Sequence, residues 1–323
     1  MESSFETRYC LVTISDEDFS IATEVLLYSF LKYNSWFAGE VIVIADDLPV
    51  THRQRLERLY PVRFIAPDPR LRYKIDILRE HVPDLDAIYR RFFSFEVFRL
   101  SHYGRAVYLD SDMYCAGDIL ELFERPEPLL ACPDGFTYSD RILALLAERR
   151  GEQTRPVTRY GRTFSESFNA GVISIGGAVL GDQTYRDLLN MLDVDTWTSL
   201  GQSIFTDQMI LNIHFENRFT PIPGKYNYMV FLEQYQKCLE AVSFLDAKLV
   251  HFAGAIKPWY CYDAGELVHW APHYIKFIDV WRELLEETRH CDDPHIIDRR
   301  YARQKEWIKH YKTHKLSATG RLY

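Results

Sequence analysis

"RAVYLDSDMYCAGDI", residues 105–119, sets two aspartates one residue apart at the end of a short apolar run. Ala106 to Leu109 predict a buried strand, and Gly117 marks the end of the loop that follows. Asp110 and Asp112 stand at i and i+2 of an extended segment, so their side chains leave on the same side. Carboxylates this close repel one another unless a cation lies between them. Two oxygens from one loop can grip a divalent ion and leave positions open for phosphate and water. A pair of solvated turn aspartates produces the same D-x-D pattern. The place of the pair, directly after a core strand, is what brings the metal into the reading.

Working outward, "YCLVTIS" (9–15), "VIVIA" (41–45) and "VRFIA" (62–66) are three further strand-like runs. Between the first two, Ala22, Val25, Leu26, Ser29, Phe30 and Tyr33 repeat at helical spacing. "THRQRLERLY" supplies a second helix before the third run. Strand–helix–strand–helix–strand predicts an α/β fold with a parallel, Rossmann-like doubly wound central sheet. Ligands of such sheets bind at the carboxyl ends of the strands, where "DEDFS" and "DSDMY" both fall. Later strands are expected at 129–132, 171–176 and 248–252, and helices near 183–193, 206–215, 272–288 and 296–314. Residues 137–164 read as an inserted helix and loop. No linker divides the chain, which predicts one domain over 1–290 and a C-terminal helical appendage over 291–323.

With 47% hydrophobic residues among 323, the chain has the material for a sizeable core. A net charge of −8 argues against nucleic acid as a partner. Residues 299–323 carry eight Lys/Arg against one Glu, about +7, which leaves the remainder near −15. The six cysteines form no CxxC pair, so neither a disulfide scaffold nor a zinc cluster is expected. No basic-then-apolar leader and no 18-residue apolar window is present, and the expectation is a soluble, cytoplasmic protein.

Three more segments carry chemistry. In "LVHFAGAIKPWY" (249–260), His251 closes a strand, Gly254 permits close backbone approach and Lys257 precedes a proline. His251 can complete a metal site and Lys257 can meet phosphate oxygens; a satisfied core histidine and a surface lysine are the plainer alternatives. An imidazole beside carboxylates favours Mn²⁺ over Mg²⁺, although Mg²⁺ stays open. In "SFNAGVISIGG" (167–177), Asn169 is read in a tight turn before a strand, where its amide either caps the turn or meets a sugar hydroxyl. In "FTDQMILNIHF" (205–215), Thr206 reads as an N-cap, with Asp207 and Gln208 in the first helical turn. Dipole complementarity alone accounts for an acid there; Gln208 has no such explanation.

"VYLDSDMY", "ACPDGF", "FNAGVISIG", "FTDQMILN" and "HFAGAIKPW", in this order and with the looser "LVTISDEDF", resemble glycosyltransferase family 8, which includes glycogenin and bacterial lipopolysaccharide galactosyltransferases. The resemblance spans residues 9 to about 260 and implies a GT-A fold and retaining hexose transfer from a UDP-sugar with Mn²⁺. It implies Asp110, Asp112 and His251 as metal ligands, with Ser111 between the acids, and Gly254 and Lys257 as diphosphate contacts. Asp134, Asn169, Ala170, Asp207 and Gln208 would surround the transferred hexose, with Gln208, Asp207 and Asp134 the catalytic candidates. Thr13, Ser15 and Asp16 match the nucleoside-binding stretch.

The chain also departs from the pattern. Ser94 stands where the family carries a donor-facing Arg or Lys, with Arg90 and Arg91 nearby as substitutes, and Ser20 beside Phe19 replaces the expected aromatic near uracil. The acceptor implied is a glycan or glycolipid hydroxyl. Protein self-glycosylation of the glycogenin kind and a catalytically silent sugar-nucleotide binder are the alternatives. The basic tail, "RRYARQKEWIKHYKTHK", reads either as a packed terminal helix or as a surface for anionic lipid.

Overall fold

Alternation along β1 (Tyr9–Ile14) and β2 (Glu40–Ile44) builds two cores from one sheet. Cys10, Val12, Ile42 and Ile44 enter the cluster on one face; Leu11, Val41 and Val43 enter the cluster on the other. The computed structural model describes residues 9–153, 158–159, 162–163, 166–199, 206–259 and 271–289. It divides into a unit over 1–260 and a smaller one over 261–323. The described part of the smaller unit is a short 3₁₀ turn at Pro272–Tyr274 running into a helix over Ile275–Thr288. The helix expected at 296–314 and the basic tail lie outside the described residues.

In the larger unit α1 (Ser20–Tyr33), α2 (Val50–Leu59) and β3 (Val62–Ile65) follow the expected order. α3 (Pro69–His81) then starts at Asp68, whose carboxylate accepts from the Arg70 amide at 2.7 Å, with Pro69 in the first turn. Two 3₁₀ segments, Pro83–Ala87 and Tyr89–Arg99, lead into β4 (Arg105–Leu109). Next come β5 (Met113–Cys115), α4 (Glu121–Glu124), β6 (Leu129–Pro133) and α5 (Gly135–Arg150). β7 (Thr158–Arg159) and β8 (Arg162–Thr163) pair as a minimal hairpin, and β9 (Phe168–Gly176) returns to the core. α6 (Asp182–Asn190), α7 (Val194–Ser199), α8 (Thr206–His214), β10 (Thr220–Pro221), β11 (Tyr228–Met229), α9 (Glu233–Glu240) and β12 (Leu249–His251) complete the unit.

The main sheet has seven strands in the order β10-β6-β9-β4-β1-β2-β3. Strands β3, β2, β1 and β4 are parallel, as predicted. β9 is antiparallel to both β4 and β6, so the sheet is mixed rather than wholly parallel. This corrects the place of Asn169, which lies inside β9, beside Phe168, and not in a turn ahead of it. The loop after Asp112 is likewise shorter than Gly117 suggests, because β5 begins at Met113. β5 pairs antiparallel with β12 in a second sheet, ordered β11-β12-β5. The sheet registers place Asp110 and His251 in adjoining elements although 141 positions separate them in the chain.

Candidate active site

Three strands of the main sheet end at one edge. Asp16 follows β1, Asp110 and Asp112 lie between β4 and β5, and Asp134 follows β6. Backbone bonds set the acid loop. The Asp110 amide donates to Gly171 C=O at 2.8 Å, and the Phe252 amide donates to Asp112 C=O at 3.0 Å. His251 faces Met113 across the β12–β5 pair. Its Nε2 lies 3.2 Å from Asp112 Oδ1 and 3.7 Å from Asp110 Oδ2. One ligand atom from each of the three residues falls within 4.8 Å of the others. Among the described residues this is the one group of three such side chains so arranged.

The surroundings suit a small cation. An added Cβ at Gly171 would stand 2.6 Å from His251 Cε1 and 2.8 Å from Asp110 Oδ2, so the strand approaches both side chains as closely as a residue without a side chain allows. Gly171→Ala is expected to displace both groups and lower turnover and Mn²⁺ affinity about tenfold, read by kinetics and a metal titration. Unchanged values for both would show that the strand does not shape the site.

Charge is balanced unevenly across the acids. Burial and the neighbouring Asp112 push the Asp110 carboxyl up, against His251 and a hydrogen bond from Tyr108 Oη at 2.7 Å to Asp110 Oδ1. Burial also acts on Asp112, but Lys257 and His251 outweigh it and hold that carboxyl well below the usual range. Lys257 Nζ is paired with Asp112 Oδ2 and donates to Phe252 C=O at 2.7 Å. Gly254, at φ +96°, makes the turn between His251 and Lys257.

A second group of residues adjoins the first. Asn169 Nδ2 donates to Gln208 Oε1 at 3.0 Å, the Ala170 amide donates to the same oxygen at 3.3 Å, and Gln208 Nε2 donates to Asp134 Oδ2 at 3.3 Å. Asp134 also caps α5, accepting from the Thr137 amide and from Ser167 Oγ at 2.8 Å each. Asp207, buried at the start of α8, accepts from Ser94 Oγ and Thr206 Oγ1 at 3.0 Å each. Burial first, and Asp110 second, push its carboxyl up to about 6. Ser94 therefore meets Asp207 and carries no charge to it. Arg90 is engaged elsewhere, 2.9 Å from Asp47 and 3.5 Å from Asp46, with Asp16 at 3.7 Å. Arg91, three residues before Ser94 and so on the same face of the 3₁₀ segment, is a cation whose charge opposes the rise at both Asp110 and Asp207.

At the nucleoside-matching stretch, Thr13 and Ser15 are buried, and Ser15 Oγ accepts from Thr23 Oγ1 at 2.8 Å. Asp16 receives the Phe19 amide at 2.8 Å, and its carboxyl is raised by burial. Phe19 packs edge-on to Trp259 at 5.1 Å. Ser111 is buried between the two acids. Asn227, which belongs to none of the segments singled out in the sequence, joins the two groups of residues: its side chain touches both His251 and Asn169. Only its position between a turn glycine and the β11 strand marks it.

The sequence pattern of glycosyl transferase family 8 matches residues 10–261. Galactinol synthase 5 of Arabidopsis thaliana is 28% identical over 202 residues, covering 59% of this chain and 57% of its own length. Galactinol synthase 1 of Solanum lycopersicum is 28% identical over 226 residues, covering 68% of this chain and 63% of its own. The chain thus spans less than two thirds of the length of these curated relatives. The crystal structure of the galactosyltransferase LgtC in complex with donor and acceptor sugar analogues superposes with a TM-score of 0.57 at 16% identity, over 86% of this chain and 95% of that one. At that identity the likeness speaks for the fold, which is GT-A. The family match runs from the first core strand to just past the Lys257 turn and takes in nearly every residue gathered at this edge, so the chain belongs to glycosyl transferase family 8.

Proposed function

We propose that the protein is a retaining hexosyltransferase that moves glucose or galactose from a UDP-sugar to a hydroxyl of a glycan or glycolipid acceptor. The observation that carries this reading is the convergence of Asp110, Asp112 and His251, with Lys257 on Asp112, at the carboxyl edge of the sheet. Two carboxylates and an imidazole suit Mn²⁺. A cation held there would act as a Lewis acid on the leaving diphosphate. Catalysis is assigned to residues 1–290, with 291–323 as a basic appendage.

Lys257 places a point charge for phosphate oxygens, and Gly254 lets the backbone come close to them. Asp134, Asn169 and Ala170 form the wall for the hexose. A glycosyl bond to phosphate breaks through an oxocarbenium-like state. Gln208 holds its amide dipole fixed beside that carbon through three hydrogen bonds, and a neutral amide is a poor nucleophile. The acceptor then attacks from the leaving-group face, where the departing phosphate takes its proton. Asp207 orients a sugar or acceptor hydroxyl. Thr13, Ser15 and Asp16 hold the nucleoside.

A panel of UDP-sugars incubated with the protein, in Mn²⁺ and in EDTA, tests this directly. UDP release from a UDP-hexose in Mn²⁺ alone is expected, with an α-linked product once an acceptor is supplied. A panel in which no UDP-sugar is turned over would dismiss the reading. A hexosyl mass increment on the protein itself would redirect the acceptor assignment to a tyrosine of a polypeptide.

A further inference from the structure

We propose that Asn227 is a positioning residue that fixes which nitrogen of His251 faces the two aspartates and ties that imidazole to the Gln208 amide. The inference rests on the proposed metal site for its ligand and on the hydrogen-bond chain alone for its geometry. Asn227 is fully buried, between a 3₁₀ turn at Gly224–Tyr226 and β11. Its Oδ1 lies 2.8 Å from His251 Nδ1, and its Nδ2 lies 2.8 Å from Asn169 Oδ1.

Backbone donors fix the polarity of the whole chain. Amide orientations and histidine tautomers follow from the network around them, and here the network has unambiguous anchors. The Gly171 amide, 3.0 Å from Asn169, can only donate, so the Asn169 atom it meets is the oxygen. That oxygen needs a donor from Asn227, which therefore turns its nitrogen to Asn169 and its oxygen to His251. Nδ1 of His251 then carries the proton. Nε2 is the nitrogen turned toward Asp110 and Asp112, in the position from which it can take a cation. At the other end, the Ala170 amide fixes the Gln208 oxygen in the same way, and Gln208 Nε2 runs on to the Asp134 carboxylate. Turning over Asn169 or Gln208 sets donor against donor or oxygen against oxygen at three contacts each, and turning over Asn227 sets oxygen against oxygen at Asn169.

The residue type follows from the same chain. An aspartate at 227 accepts from the imidazole but cannot donate to Asn169, and an aliphatic residue does neither. A carboxamide of this length does both. Hydrogen bonds from the far nitrogen of a metal-ligating histidine set the orientation and basicity of the ring, and their loss typically costs 10–100-fold in metal affinity.

The test separates the two contacts in the full-length protein. Mn²⁺ affinity is measured by electron paramagnetic resonance titration, without donor, for the wild type, Asn227→Leu, Asn227→Asp and Asp110→Asn. The expected result is a loss of roughly 10–100-fold for Asn227→Leu and no loss for Asn227→Asp. Asn227→Asp is also expected to lose at least about tenfold in kcat, with donor KM changed less than about threefold, because its Asn169 contact is gone. The wild type should carry a proton on Nδ1 of His251 by ¹⁵N imidazole spectroscopy, whether or not Nε2 is also protonated. The proposal is overturned by an Nε2–H tautomer, by wild-type kcat in Asn227→Asp, or by Asn227→Asp losing Mn²⁺ as the leucine variant does. If Asn227→Leu does not fold, the isosteric aspartate variant and the tautomer decide. Wild-type Mn²⁺ affinity in Asp110→Asn would instead remove the metal reading, and the tautomer would then decide the proposal alone.

Discussion

Asp110→Asn is expected to turn over at no more than about one hundredth of the wild-type rate, as when other preorganised charge is removed from a site. The substitution keeps the shape of the loop. The Asp110 amide still bonds to Gly171, and the new side-chain oxygen still accepts from Tyr108. What changes is charge: a carboxylate 3.7 Å from His251 Nε2 becomes a neutral amide, and the grip on a divalent ion loses one of its two anionic ligands. In EDTA the variant should unfold at the same temperature as the wild type or higher, since the burial of charge and the repulsion from Asp112 that raise the Asp110 carboxyl are both relieved. Near-normal turnover in Mn²⁺ would refute the assignment of Asp110 as a ligand, and a lowered melting temperature in EDTA would assign the carboxylate a structural role instead.

Asp207→Asn should stabilise the protein at pH 8 while lowering turnover at least about tenfold. Burial, with Asp110 as the second cause, holds the Asp207 carboxyl at about 6, against about 3.9 in an unfolded chain. A carboxyl raised in the folded state binds its proton more tightly there than in the unfolded chain. Its contribution to stability is therefore complete below about pH 4 and is lost as pH rises through about 6. A gap of that size between the folded and unfolded chain corresponds to about 3 kcal/mol as an upper figure. The asparagine variant carries no such loss, and the Ser94 and Thr206 hydroxyls can turn to meet its amide. Urea titrations in EDTA at pH 8 and pH 4 should show the gain at the first pH and its disappearance at the second. An equal difference at both would mean that side-chain shape, not ionisation, sets it. Activity of the wild type should fall correspondingly as pH drops below about 6.

Much of this is written locally in the chain. The strands at 9–14, 40–44 and 105–109 announce themselves because apolar residues run almost unbroken where a parallel sheet is buried on both faces, whereas the edge strand at 62–65 is interrupted by the exposed Arg63. α3 carries Leu71, Ile75 and Leu78 on one stripe behind a proline, yet its other positions are so polar that the stripe is easily missed. The 3₁₀ character of Tyr89–Arg99 is not readable. Its aromatics suit a strand or helix alike, and the choice comes from packing. The antiparallel course of β9 is hidden for a related reason: an apolar run says that a strand is buried but not which way it points. The candidate cation ligands are legible through their residue types and their order. Asn227 is not, since its meaning lies wholly in two partners, one 58 positions before it and the other 24 after.

The pairing of β5 with β12 has a consequence for how such a protein changes over generations. Main-chain bonds join the acid loop to the histidine strand, and substitutions of side chains leave those bonds in place. The residues assigned to the sugar come from other elements, at the end of β6, along β9 and at the head of α8. On the proposed assignment, duplicated copies can drift toward a new carbohydrate by remodelling those elements while the paired acid loop and histidine strand are inherited intact. Divergent specificity among descendants of this fold should accumulate on the sugar wall first and reach the zipper between the two short strands last.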